Sequence, residues 1–205
     1  MSIIHYFLGN DHKRAKFIFD FIAPVYGRID KSIQKNYVEI AALLNSEISL
    51  VNSSILDVGT GTGGWLASIA GYTEQEICGT DFSEKMLVQA KKNHPEIKFI
   101  KSDAVNLDEF KDNSFDVVTA SFVLHGMKQP ERIQVLTAMK RIARKQVLIH
   151  DFYGDIHPAV LMLEWLERSD YKNFKKNFAA EMKEIFSDTR IITPDSGSAV
   201  YTGIC

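Results

Sequence analysis

The residues best placed to do chemistry fall in a few short stretches, each following an apolar run. The first is Ile55-Leu-Asp-Val-Gly-Thr-Gly-Thr-Gly63, where a short hydrophobic segment ends in alternating glycines. Glycine lets a backbone turn sharply and approach a ligand with no Cβ in the way. A helix starting just after such a loop adds unpaired amide donors and a partial positive charge. Gly59, Gly61 and Gly64 also satisfy the dinucleotide fingerprint, so the loop alone does not choose its ligand. Asp81 stands about 20 residues on, where a carboxylate can accept both hydroxyls of a ribose. Loop and acid together indicate an adenosine-containing ligand.

Three further features narrow that ligand. Asp57 sits two residues before the first glycine, where an acid suits a cationic ligand end such as an α-ammonium or a sulfonium. Beside a pyrophosphate the same acid would repel its neighbour. Ser102-Asp103-Ala104 closes a later strand and offers a carboxylate and backbone amides to an adenine edge. The third feature is the C-terminus, where Thr189–Thr193 and Ala199–Ile204 flank a Pro-Asp-Ser-Gly turn. Strands joined so tightly are antiparallel, which departs from a nicotinamide-binding sheet. Each acid also has a plainer reading. Asp81 could cap the helix that starts near Ser83, and Asp103 could be an ordinary loop acid. Phe82 and Met86 stand at helical spacing and fit a core as well as an adenine contact.

The elements that would position these groups follow from hydrophobic period. Ile33, Tyr37, Ile40, Leu44 and Ile48 recur at helical spacing, and the first 50 residues read as helical. From Ser53 short apolar runs alternate with amphipathic segments. Strands are expected at Ile55–Val58, Glu76–Asp81, Ile97–Ile100, Phe115–Ala120 and Gln146–His150. Helices are expected after the glycine loop, from Ser83 to His94, from Pro130 to Arg144, and over Pro158–Arg168 and Tyr171–Phe186. This pattern predicts an α/β fold: a doubly wound, Rossmann-like, seven-stranded, mostly parallel sheet with a C-terminal antiparallel hairpin, helices on both faces and a helical N-terminal cap. A single domain is expected over 1–205, with a helical cap (1–50), a cofactor-binding half (51–151), lid helices (152–187) and the hairpin (188–205).

Bulk properties limit the partners. The 205 residues carry a net charge of −2, giving no basic footprint for nucleic acid. Only Cys78 and Cys205 are present, with no Cys-x-x-Cys pair, which fits a reducing compartment. No apolar run reaches the length of a membrane span, and the N-terminus lacks the pattern of a signal peptide. A cytoplasmic protein is expected. His150, Asp151 and His157 follow the fifth strand, but no spacing fixes three ligands, so no metal is expected.

In order, these motifs resemble those of the class I S-adenosylmethionine-dependent methyltransferases, particularly the small-molecule group that includes the ubiquinone and menaquinone methyltransferases. The likeness covers roughly residues 17 to 151. Ile55–Gly63 is similar to that family's first motif and Gly79-Thr-Asp-Phe-Ser-Glu-Lys-Met-Leu87 to its ribose-binding segment. Ser102–Ala104 resembles its adenine-binding turn, and Phe115-Asp-Val-Val-Thr-Ala-Ser-Phe-Val-Leu-His125 its fourth-strand motif. Phe21-Ile-Ala-Pro-Val-Tyr26 resembles its N-terminal cap, although Gly27 stands where an acid is common. The resemblance implies S-adenosylmethionine as cofactor, with S-adenosylhomocysteine as product. It also implies that Asp57, Gly59, Thr60, Gly61 and Gly63 cradle the methionine part, with Asp81 on the ribose. Phe82, Met86, Ser102, Asp103 and Ala104 would meet the adenine, Ser121 and Phe122 would lie under the sulfur, and Tyr26 would cover the donor.

A sulfonium methyl is already activated, so positioning the acceptor in line can supply much of the rate. His125 follows the fourth strand and is the candidate general base, with a structural loop histidine as the alternative. The fourth strand lacks the Asn/Asp-Pro-Pro-aromatic motif of many amino-methylating enzymes, and no Pro-Cys pair is present. A small-molecule acceptor is therefore expected, and neither its identity nor the oligomeric state is legible. An NAD-dependent oxidoreductase and a non-catalytic S-adenosylmethionine-binding protein are the alternatives.

Overall fold

The computed structural model describes residues 36–154, 169–193 and 197–205. Each short apolar run becomes a strand: β1 (Ile55–Val58), β2 (Ile77–Asp81), β3 (Lys98–Lys101), β4 (Phe115–Ser121), β5 (Ala143–Tyr153), β6 (Asp188–Ile192) and β7 (Gly197–Ile204). They form one seven-stranded sheet in the order β3-β2-β1-β4-β5-β7-β6. Strands β1 to β5 pair in parallel, and β7 lies antiparallel between β5 and β6. The mostly parallel sheet with its antiparallel hairpin is the fold class the sequence predicts. Strand order reverses between β1 and β4, and ligands of open α/β sheets bind beside such a point.

Side chains alternate across the sheet, and each face has its own core. Ile55, Val117, Leu148 and Val200 pack with Ile40 and Leu44 of the helical residues 36–47, with Trp65, Leu66 and Ile69 of helix Gly64–Ala70, and with Leu87 and Ala90 of helix Glu84–Asn93. Leu56, Val118, Val147 and Ile149 face the other way. They meet Val135, Leu136 and Met139 of helix Gln129–Ile142, and Phe174, Phe178 and Met182 of helix Tyr171–Ile185. The two faces are thus covered by separate helical layers.

Several boundaries move for physical reasons. The sequence places the fifth strand at Gln146–His150, yet β5 runs from Ala143 to Tyr153. It pairs with β4 along one edge and with β7 along the other as far as Tyr153 opposite Gly197, and this double pairing extends it. The preceding helix therefore stops at Ile142, and Ala143 is already extended. Ser83 caps its helix as expected, its hydroxyl accepting the Met86 N–H at 3.3 Å.

Helix Tyr171–Ile185 is a core helix, fully burying Phe174 and Phe178. It is clamped to helix Gln129–Ile142 by Arg132, whose guanidinium is inaccessible to solvent. Arg132 donates to both carboxylate oxygens of Glu181 at 2.8 and 2.7 Å and to Asp170 at 2.9 Å. The cap around Tyr26, the expected helix over Pro158–Arg168 and His157 lie outside the described residues.

Candidate functional site

The glycine loop leaves the end of β1 with Gly59, Gly61 and Gly63 at positive φ. A Cβ on Gly59 would lie 2.6 Å from Val123 Cγ2, so the loop presses directly on the segment that follows β4. A Cβ on Gly61 would meet nothing within 4 Å among the described residues. A Cβ on Gly63 would instead come to 3.0 Å from the rings of His94 and Phe99, which places that glycine against the end of helix Glu84–Asn93 and β3.

Hydrogen bonds tie the loop to its neighbours. The Thr60 N–H donates to the Thr80 carbonyl at 2.7 Å. The Gly61 N–H donates to Asp81 Oδ2 at 2.9 Å, and the Ser83 N–H to Asp81 Oδ1 at 2.8 Å. Asp81 therefore braces both the loop and the next helix.

Asp57 is the unusual group. It is 1% exposed, and neither carboxylate oxygen meets a hydrogen-bond partner among the described residues. Burial pushes its carboxyl from 3.8 up to about 8. The nearby Thr60 hydroxyl offsets part of this without reaching hydrogen-bond geometry, and the charge of Asp81 adds to it. A buried, unpaired carboxylate is costly unless a cation or donor arrives to meet it.

The third motif is bonded to the second, because the Ser102 N–H donates to the Asp81 carbonyl at 3.2 Å. The Ser102 hydroxyl donates to Glu109 Oε2 at 2.9 Å. Asp103 Oδ1 accepts the Val105 N–H at 3.1 Å and so shapes its own turn, the plainer role the sequence allowed. Ala104 and Met86 are buried, and Phe82 is half-buried.

At the end of β4, Ser121 Oγ lies 2.9 Å from His150 Nδ1 and 3.4 Å from the Tyr37 hydroxyl. The Trp65 indole stacks on His150 at 5.0 Å and donates to Thr119 Oγ1 at 3.0 Å. Phe122 then adopts φ +53°, an uncommon conformation for a bulky residue, with its N–H on the His150 carbonyl at 2.8 Å. His125 begins its contacts three residues later, with its Nδ1 2.8 Å from Asp151 Oδ1.

The structure thus links Asp57, the glycine loop, Asp81 and Ser102 into one rim. It brings Ser121, Phe122 and His125 to the same end of the sheet through the Gly59–Val123 contact. Tyr26 lies outside the described residues. Sequence reading did not assign roles to Tyr37, Trp65 or Asp151. Tyr37 and Trp65 were legible only as inward helical positions, and Asp151 only as a rim acid. Among the described residues, no cluster of His, Cys, Asp and Glu is arranged to hold a metal. His150 and Asp151 are adjacent on β5, one pairing with Ser121 and the other with His125.

Residues 55–146 match the family model described as a methyltransferase domain. Over 129 residues the chain is 33% identical to a demethylmenaquinone methyltransferase of Chlorobaculum tepidum, covering 57% of this chain and 53% of that protein. Over 200 residues it is 29% identical to a phosphatidylethanolamine N-methyltransferase of Cereibacter sphaeroides, covering 90% of each. The chain spans about half the length of the demethylmenaquinone methyltransferase it matches. Among solved structures, the magnesium protoporphyrin IX methyltransferase from Synechocystis PCC 6803 with bound SAH aligns with a TM-score of 0.62. The two are 17% identical, over 86% of this chain and 84% of that one. A SAM-dependent methyltransferase from Aquifex aeolicus aligns with a TM-score of 0.64 at 17% identity, over 80% of this chain and 88% of that one. This chain shares its fold with both.

Proposed function

We propose that this protein transfers a methyl group from S-adenosylmethionine to a small-molecule acceptor. The observation that carries this reading is Asp57, a buried carboxyl group with no hydrogen-bond partner among the described residues, at the head of a glycine loop where a Cβ on Gly61 would meet no described residue. A ligand with a cationic amino-acid end fits such a site, and a pyrophosphate does not.

Asp57 meets the cationic end of the donor, and Gly59, Thr60 and Gly61 supply a backbone that can come close to it. Asp81 holds the ribose hydroxyls while keeping its bonds to Gly61 and Ser83. Phe82, Met86 and the Ser102–Ala104 turn surround the adenine. When bound, the donor supplies a methyl carbon already activated by its sulfonium. Ser121 and Phe122 border the methyl-transfer position, and His125 takes the proton of the acceptor. The strained backbone at Phe122 aims its ring across His150 at 4.7 Å and toward Phe152 at 5.0 Å, giving the acceptor an aromatic wall.

The relatives act on demethylmenaquinone and on phosphatidylethanolamine, as their names state, and an organic acceptor with an apolar body is proposed here by likeness. Nucleic acid is not proposed as a substrate, in keeping with the net charge of −2. No helix among the described residues is long and apolar enough to cross a membrane. Cys78 and Cys205 form no disulfide, which supports a cytoplasmic setting.

Methyl transfer is tested with isotopically labelled donor and a panel of quinol, phenol, carboxylate and amine acceptors, read by mass spectrometry. One acceptor class gaining a single labelled methyl is expected. Tight donor binding with no acceptor methylated would favour a non-catalytic binding protein.

A further inference from the structure

On the methyl-transfer reading, we propose that Phe99 is a positioning residue for the donor: its ring is the floor on which the loop 60–63 rests, and it holds that loop in the shape that binds S-adenosylmethionine. Phe99 lies in none of the motifs assigned to the donor, and it acts through the glycines it packs against.

Phe99 stands on β3 directly across from Gly79 of β2 in the parallel register, so the two positions share one face of the sheet. Gly79 has no side chain, and the ring spreads over the gap. A Cβ on Gly79 would lie 2.8 Å from Cδ1 and 2.9 Å from Cε1 of Phe99. The same point is 2.8 Å from Thr60 Oγ1, so ring and hydroxyl both crowd the space above the bare glycine. The far end of the ring reaches the other end of the loop. There a Cβ on Gly63 would lie 3.0 Å from Cζ and 3.3 Å from Cε1. Gly63 closes the turn with its N–H on the Thr60 carbonyl at 2.9 Å. One buried ring thus borders the turn at both ends.

The polar bonds of the loop cannot set its height alone. Thr60 and Gly61 donate sideways to β2, at the Thr80 carbonyl and the Asp81 carboxylate. Gly63, at φ +86°, is the N-cap of helix Gly64–Ala70, and no side chain caps that helix. Packing against the rings of Phe99 and His94 therefore fixes where the helix begins. A glycine has no side chain that could relax into space left by a smaller residue. Loss of the ring is met by movement of the loop backbone itself. Asp57 stands at the head of this loop, so the height of the loop governs how closely a cationic donor end approaches the carboxyl. Every group in this contact, from Thr60 and Gly63 to Gly79, His94 and Phe99, belongs to the described residues.

The test pairs Phe99→Leu with Gly79→Ala and reads calorimetric affinity for S-adenosylhomocysteine beside thermal melting. Phe99→Leu keeps an apolar side chain but withdraws the ring from Gly63. Gly79→Ala drives a methyl group into the ring and the Thr60 hydroxyl. Each alone is expected to weaken binding about tenfold or more. In the double variant the new methyl group fills part of the space the ring leaves, and affinity should return to within about threefold of the wild type. Met139→Ala opens a cavity in the core on the opposite face of the sheet and serves as the control. It should lower Tm at least as far while leaving affinity within about twofold. Affinity that follows Tm in every variant would mark a merely structural role and overturn the proposal. Single variants that bind like the wild type, or losses that add in the double variant, would overturn it too. Should Phe99→Leu fail to fold, Phe99→Met takes its place with the same expectations. Wild-type protein that binds neither S-adenosylmethionine nor S-adenosylhomocysteine would remove the methyl-transfer reading as well. Wild-type binding with unaltered variants would remove the role of Phe99 and leave that reading standing.

Discussion

Gly59 and Val123 are in such close contact that a single added carbon on Gly59 would lie 2.6 Å from Val123 Cγ2. The loop after β1 and the segment after β4 are thereby locked together at the point where strand order reverses. In the proposed function, donor-side and acceptor-side groups therefore share one boundary.

Gly59→Ala should therefore damage both halves of the site. The added methyl group overlaps Val123 and must be held at φ +72°, costing about 2 kcal/mol or more. Thermal melting should show a lower Tm, and calorimetry should show donor affinity weakened about tenfold or more. An unchanged melt with unchanged donor affinity would mean that this contact does not organise the site.

Asp57 makes stability and binding respond to pH in opposite directions. Its carboxyl is raised in the folded protein from 3.8 to about 8, so the folded state holds the proton more tightly than the unfolded one. Stability of the ligand-free protein is fully present below the unfolded value and is lost as pH rises toward 8. A cationic donor end favours the ionised form, so its affinity should rise over the same window, with proton release detectable as a buffer-dependent binding enthalpy. Asp57→Asn should stabilise the ligand-free protein at pH 8 and weaken donor binding about tenfold or more. A variant that binds the donor as well as the wild type would remove Asp57 from the site.

The buried Arg132 pair is a test of the fold apart from the chemistry. Arg132→Ala leaves the inaccessible Glu181 carboxylate without its partner and should cost about 3–5 kcal/mol in chemical denaturation. Replacing both, as Arg132→Met with Glu181→Leu, should recover much of that loss. Failure of the double variant to recover would show that specific pairing, beyond charge cancellation, holds the two helices.

Asp116 gives the opposite pH sign to Asp57. Its bonds to Arg144, together with those from Ser54 and Lys145, hold its carboxyl well below the usual carboxylate range against the effect of partial burial. Its contribution is present above the unfolded carboxylate value and lost as pH falls. Asp116→Asn should lower stability by about 1–2 kcal/mol at neutral pH and flatten the acid limb of a stability-against-pH curve. An unaltered acid limb would contradict this assignment.

Much of this architecture was legible in the sequence, because strand length and helical period are local. The run from Ile55 to Val58 and the inward Trp65, Leu66 and Ile69 needed no tertiary information. The end of β5 was not legible, since its extension to Tyr153 depends on pairing with β7, about 45 residues away. The glycines and Asp81 were legible as motif positions, yet the bond from Gly61 to Asp81 was not. Asp151 was hidden for the same reason: its link to His125 spans two strand ends and has no fixed spacing.

The most direct test of the central claim is calorimetric titration of the protein with S-adenosylmethionine, S-adenosylhomocysteine and NAD. Binding of the first two, with no heat from NAD, is the result this account predicts. Binding of NAD without either sulfur ligand would contradict it.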